Sequence, residues 1–144
     1  MDPVRDELFT AIRGSGAFLN GRPISVTGET SLKKSMLATG FSYNPEAALA
    51  NIEVFARVLP KVRTIRRPGA AALDLSYVAS GRLDAYWELT LNPWDVAAGL
   101  LLVTEAGGTV TNRTGDTYRL VDPVLIASNS KIHDGILELV NINE

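Results

Sequence analysis

The chain contains no cysteine. That absence excludes a disulfide framework and any thiolate-held metal site, and it fits a reducing compartment. Histidine is nearly as scarce: His133 is the single copy, so a histidine-built metal centre is not expected and His133 reads as a surface residue. No apolar run approaches the roughly 18 residues of a membrane-crossing helix. The charged opening "MDPVRDE" lacks the apolar stretch of a secretory signal. A surplus of one charge sign is missing too. A net charge of -2 gives no electrostatic reason to expect nucleic acid or an anionic membrane as a partner. Cytoplasmic localisation is the resulting expectation. The chain also has no G-x-S-x-G, no P-loop and no spacing that supports a Ser/His/Asp set.

What is present suffices for one domain with a core, since 46% of the 144 residues are hydrophobic. "ELFTAIRGSGAFLNGRPISVT" (7–27) reads as strands punctuated by glycines, with "NGR" as a tight hairpin turn. Its "GSGAFLNG" looks like a glycine-rich phosphate loop but precedes no helix, so a hairpin with bulges is expected. This hairpin stands ahead of the alternating elements and carries enough apolar side chains to need a partner sheet, one the chain is not expected to contain.

"SMLATGF" (35–41) is a short apolar strand. Asn44-Pro45 opens a helix, cap first and proline second. Leu49, Ile52, Phe55 and Leu59 recur along it at helical spacing, and Pro60 ends the run. "VRTIRR" (62–67) reads as a strand, and residues 69–81 as a helix capped by Gly81. "LDAYWEL" (83–89) alternates, with Leu83, Ala85, Trp87 and Leu89 on one face and Asp84, Tyr86 and Glu88 on the other. A helix over Pro93–Ala106 stops at Gly107-Gly108. Two short strands around "RTGD" and a closing helix in "KIHDGILELV" complete an α/β chain with helices covering a sheet.

Asp95 falls in the first turn of the helix that Asn92 or Pro93 opens. There, free backbone N–H groups and the helix dipole favour an ionised carboxylate. Such a group either stabilises its own helix or serves as a hard oxygen ligand for Mg²⁺. Glu88 precedes it by seven residues on the polar face of the strand leading to the same helix mouth. It is either a solvated strand residue or an acceptor for substrate hydroxyls. Gly69, Ala70 and Ala71 begin the previous helix, with Arg66 and Arg67 upstream. Small residues there allow close packing, or let a ligand approach the backbone N–H groups.

The stretch "GAAALDLSYVASGRLDAYWELTLNPWDVAAGLLLVTEAGG" (69–108) resembles the C-terminal half of the inositol monophosphatase family. The resemblance is carried by W-D-x-A-A-G, then E-A-G-G, with G-R-x-D-A-Y ahead of them. Residues 5–27 resemble the segment that joins the family's two halves. The implied fold is the C-terminal portion of the sugar-phosphatase fold, a mixed sheet between helices with an N-terminal β-hairpin. As a domain, 1–144 is implied to be that C-terminal unit, with 1–30 joining it to a missing N-terminal half.

By the same resemblance Asp95 binds catalytic Mg²⁺, and Glu88 meets the hydroxyls of a small-molecule phosphate monoester. Gly69, Ala70 and Ala71 lie along that substrate through their backbone, and Ser42 falls near a position that contacts substrate in some members. The family's other metal ligands, a Glu-Glu segment and D-P-[IL]-D-G-T, have no match: Asp2-Pro3 begins like the second, but Arg5 stands where its second Asp belongs. The chain alone is therefore expected to be inactive and to form a homo-oligomer with 7–27 at or near the interface. The rival readings are a different phosphorylated substrate (histidinol phosphate, fructose bisphosphate or a nucleotide bisphosphate) and a non-catalytic interaction module.

Overall fold

Asn20 and Gly21 adopt φ of 49° and 75°, the paired left-handed conformations of a two-residue hairpin turn. The turn joins β2 (Gly16–Leu19) to β3 (Arg22–Ile24), and β1 (Phe9–Ile12) pairs antiparallel with β2 on its other side. A computed structural model describes residues 1–141 of the chain. The resulting three-stranded sheet is covered within the chain by a helix and not by the partner sheet that the sequence suggested it needs. Ala17, Phe9, Ala11 and Ile24 pack into the cluster built around α3 (Pro93–Glu105). The Glu105 carboxylate at the end of that helix accepts from the N–H groups of Gly14 and Gly16, both at 2.9 Å.

The main sheet has five strands in the order β5-β4-β6-β8-β7. They are β4 (Met36–Thr39), β5 (Thr64–Arg66), β6 (Ala85–Leu89), β7 (Thr109–Thr111) and β8 (Val124–Ser128). β4 runs parallel to both β5 and β6, whereas β8 is antiparallel to β6 and β7. Helices α1 (Pro45–Val58) and α4 (His133–Val140) cover one face, around Leu37, Ala85, Trp87 and Ile126. Helices α2 (Ala71–Ala79) and α3 cover the other, around Ala38, Tyr86, Leu125 and Ala127.

Both faces of β6 are therefore buried. The alternation read from sequence holds from Ala85 to Leu89, but its "polar" face carries Tyr86, fully enclosed under α2 and α3. Leu83, just before the strand, joins that second cluster and not the one of Ala85 and Trp87.

Two further expectations are corrected. The buried side of α1 is Asn51, Val54 and Val58, while Leu49, Ile52 and Leu59 are exposed. The spacing of Leu49, Ile52, Phe55 and Leu59 marked the helix, but of the four only Phe55 packs against the core. His133 is a core residue and not a surface one. Its ring nitrogens lie 2.9 Å from Thr111 Oγ1 and 2.8 Å from Ser128 Oγ, so both are satisfied by hydroxyls from β7 and β8. Burial holds its pKa below the usual histidine value, against a smaller opposing pull from Asp134.

The helix ends follow local chemistry. Asn44 Oδ1 accepts from Ala47 N at 3.1 Å, capping α1 with Pro45 in its first turn. Gly81 closes α2 at φ 72°. Arg82 N donates to Tyr77 O at 2.8 Å and Gly81 N to Val78 O at 3.1 Å, the paired bonds of a Schellman ending. The α2–α3 contact is close because Gly99 leaves room for Leu75: a Cβ at position 99 would come within 2.5 Å of Leu75 Cδ1.

Candidate functional site

Because β5, β4 and β6 are parallel, their C-terminal ends share one edge of the sheet, and the segments after them meet there. Ligand sites in open α/β sheets form at this edge. Here the three connections enclose a pocket of about 220 Å³. The turn after β4 contributes Gly40, Phe41 and Tyr43; the lead into α2 contributes Arg67, Gly69, Ala70 and Ala71. The third wall is Glu88, Leu91 and Asp95, from the end of β6 to the start of α3. Asp95, Glu88, Gly69, Ala70 and Ala71 therefore line one cavity, whereas Ser42 lines a separate one.

Asp95 sits as anticipated in the first turn of α3, where its Oδ2 accepts from Asn92 N at 3.2 Å. It thus caps its helix and faces the pocket at once. Its chain neighbours diverge, Val96 into the core and Trp94 out to solvent. The start of α2 is built differently. Ala70 occupies the capping position and supplies no side-chain acceptor. The N–H groups of that first turn are therefore left without a side-chain cap, beside a lining of glycine and alanine.

Glu88 is half-buried, and Tyr86, two residues earlier on the same face of β6, donates its hydroxyl to Glu88 Oε2. Burial pushes the Glu88 carboxyl above its ordinary pKa, and the Asp95 charge adds to that. The Tyr86 hydrogen bond and the Arg67 guanidinium act the other way. Asp74, buried behind the start of α2, is pushed up to about 7, by burial first and by the Glu88 charge second. Its Oδ1 has no hydrogen-bond partner.

Gly40, Tyr86 and Asp74 were not picked out as site residues from sequence, and Arg67 was noted only as flanking. Tyr86 was open to discovery through its period-two relation to Glu88. Gly40 was not, because its contact with Glu88 crosses between two strands.

The donor chemistry suits a hard cation only in part. Asp95 offers a carboxylate oxygen at the pocket wall, but among the described residues no three His, Cys, Asp or Glu side chains are grouped to hold a metal. Mg²⁺ binds through one or two carboxylates together with substrate phosphate and water. The residues present fit such an ion as part of its ligand set.

Comparison with family models matches residues 1–144 to the inositol monophosphatase family. The chain belongs to that family. It is 47% identical over 143 residues to the Nus factor SuhB of Pseudomonas aeruginosa, covering 97% of this chain and 53% of the relative. It is 42% identical to inositol monophosphatase 2 of Solanum lycopersicum, covering 99% and 55% of the two chains. The crystal structure of extragenic suppressor protein suhB from Bartonella henselae superposes with a TM-score of 0.93 at 41% identity. That match covers 99% of this chain and 56% of the other. The chain spans about half the length of the curated relatives it matches.

Proposed function

We propose that these residues form the substrate-alcohol side and one metal ligand of a cytoplasmic, Mg²⁺-dependent phosphatase that hydrolyses inositol phosphate to inositol and phosphate. The observation that carries this reading is the convergence of Asp95, Glu88 and Gly69–Ala71 on one pocket from separate connections. Asp95 would hold the ion. When bound, Mg²⁺ supplies charge to polarise phosphoryl oxygens and lower the pKa of a bound water. Glu88, half-buried and oriented by Tyr86, accepts hydrogen bonds from the hydroxyls of the alcohol. The uncapped N–H groups at the start of α2 face the same ligand along an alanine-lined wall that permits close approach.

In this reading the remaining metal ligands belong to an N-terminal half, and residues 1–30 join the two. Asp95→Asn in the complete enzyme is expected to lower kcat at least about 100-fold, more than the loss of a residue outside the ligand set. Its melting temperature should change little, since the amide retains the size of the side chain. Activity within about twofold of wild type would remove Asp95 from the metal site.

The relatives named Nus factor SuhB favour one second reading, a non-catalytic role as an interaction partner. Co-purification of a partner that survives Asp95→Asn would support it, whereas loss of partner and activity together would not.

A further inference from the structure

Asn51 stands out in the α1 layer as a polar side chain among aliphatic ones. It is 1% exposed, on the helix face that otherwise presents Val54 and Val58. Its Nδ2 donates to Gly40 O at 2.6 Å and to Thr39 Oγ1 at 3.1 Å, and its Oδ1 accepts from Trp87 Nε1 at 2.7 Å. An indole N–H can only donate and a carbonyl can only accept. A carboxamide satisfies both at once; a carboxylate or an aliphatic side chain of that size does not.

The two ends of this clamp flank Glu88. Trp87 is its chain neighbour. Gly40 lies one residue past the last β4–β6 pair, Thr39 with Trp87, where no strand partner fixes its peptide in that ladder. The Asn51 amide holds that carbonyl from the α1 side of the sheet. On the other side, a Cβ built on Gly40 would overlap the Glu88 carboxylate. The Gly40 backbone is thus the surface against which Glu88 rests.

We propose that Asn51 is a positioning residue for substrate selection: by fixing the Gly40 peptide and the Trp87 indole across the sheet, it sets where the Glu88 carboxylate stands in the pocket. The inference rests on the reading that Glu88 meets the hydroxyls of the alcohol. It assigns Asn51 a part in discriminating polyol phosphates from phosphates whose leaving group carries no hydroxyls. A buried amide that merely satisfied its neighbours would affect folding, and through it every substrate alike.

The test is steady-state kinetics of the complete enzyme on inositol phosphate and on para-nitrophenyl phosphate. Asn51→Asp keeps the size and the acceptor for Trp87 but sets an oxygen against the Gly40 carbonyl. The expected result is a rise in KM for inositol phosphate of about tenfold, with kcat and the aryl substrate changed by less than about twofold. Asn51→Asp combined with Glu88→Gln should lose no more than Glu88→Gln alone, because both act through one carboxylate. Equal losses on the two substrates, or additive losses in the double variant, would overturn the proposal.

Should Asn51→Asp not fold, Asn51→Ser, which withdraws the amide from both the Gly40 carbonyl and the Trp87 indole without touching the pocket lining, carries the same comparison. Its selective loss should likewise vanish in the Glu88→Gln background, and its persistence there would overturn the proposal. If Glu88→Gln alone reduces both substrates equally, the assignment of Glu88 to the alcohol fails. A selective Glu88→Gln with an unselective Asn51→Asp leaves that assignment standing and removes Asn51.

Discussion

Asp74 shows at the scale of one residue how the pocket and the core compete. Its carboxyl is buried behind the first turn of α2, with one oxygen unpartnered and the Glu88 charge nearby, and its pKa rises to about 7. Arg67 opposes the shift, as does a hydrogen bond from the Ala70 backbone, but burial dominates. A carboxyl whose folded pKa lies above its unfolded value favours folding fully below that unfolded value, near 3.8. The contribution is lost as pH rises through about 7. Asp74→Asn removes this dependence. Its melting temperature relative to wild type should climb between pH 5 and pH 8, by an amount on the order of a few kcal/mol in stability. A constant difference across that range in thermal denaturation would show that Asp74 is not protonated in the folded chain. His133, whose pKa is lowered by burial, works in the opposite sense, favouring folding above its unfolded pKa and losing that contribution as pH falls.

Elements meet here through small residues and through helix faces. Gly99 allows α3 to seat against Leu75 of α2, and that seating brings the two helix starts to a common pocket. Gly99→Val is expected to cost roughly 1–3 kcal/mol by overpacking, seen as a lower denaturation midpoint. The α1 helix offers a second check. Val54→Ala should destabilise by about 2 kcal/mol through lost burial and a cavity. Ile52→Lys, on the exposed side, should stay within about 0.5 kcal/mol of wild type. The reverse order would restore the leucine and isoleucine face as the buried one.

For the whole molecule, the pocket pairs Asp95 with one other carboxylate, Glu88, and among the described residues no three His, Cys, Asp or Glu side chains are grouped to hold a metal. The 144 residues by themselves are therefore expected to show no Mg²⁺ binding at millimolar concentration by calorimetry and no turnover of inositol phosphate. The hairpin sheet has one face on α3, but Leu8 and Ile12 stay exposed, as do Leu49 and Ile52 on α1, Leu59 just after it and Trp94 beside the pocket. Apolar side chains left in water, together with the free edges of β1 and β3, favour association. Light scattering should report a dimer or larger species. A monodisperse monomer that turns over inositol phosphate would contradict both expectations.

Local chemistry was legible in the sequence because its partners lie within a few positions. Asn20-Gly21 makes the hairpin turn, Asn44-Pro45 opens α1, Gly81 and Gly107 close α2 and α3, and Asp95 caps the helix it begins. Each involves one turn of chain, where backbone sterics and orphaned N–H groups decide the outcome. The pocket residues Asp95, Glu88 and Gly69–Ala71 were also legible, through a motif resembling a known family.

What required the tertiary structure is whatever depends on which segments meet. Spacing cannot reveal that the exposed side of α1 carries Leu49 and Ile52 while Asn51 is buried, because the Trp87 and Gly40 groups it satisfies come from other strands. Nor can it place His133 between two hydroxyls, cover the hairpin with α3, or rest Glu88 on Gly40. Burial and hydrogen-bond satisfaction are properties of contacts between distant segments, and the packing of α1–α4 on the sheet creates those contacts.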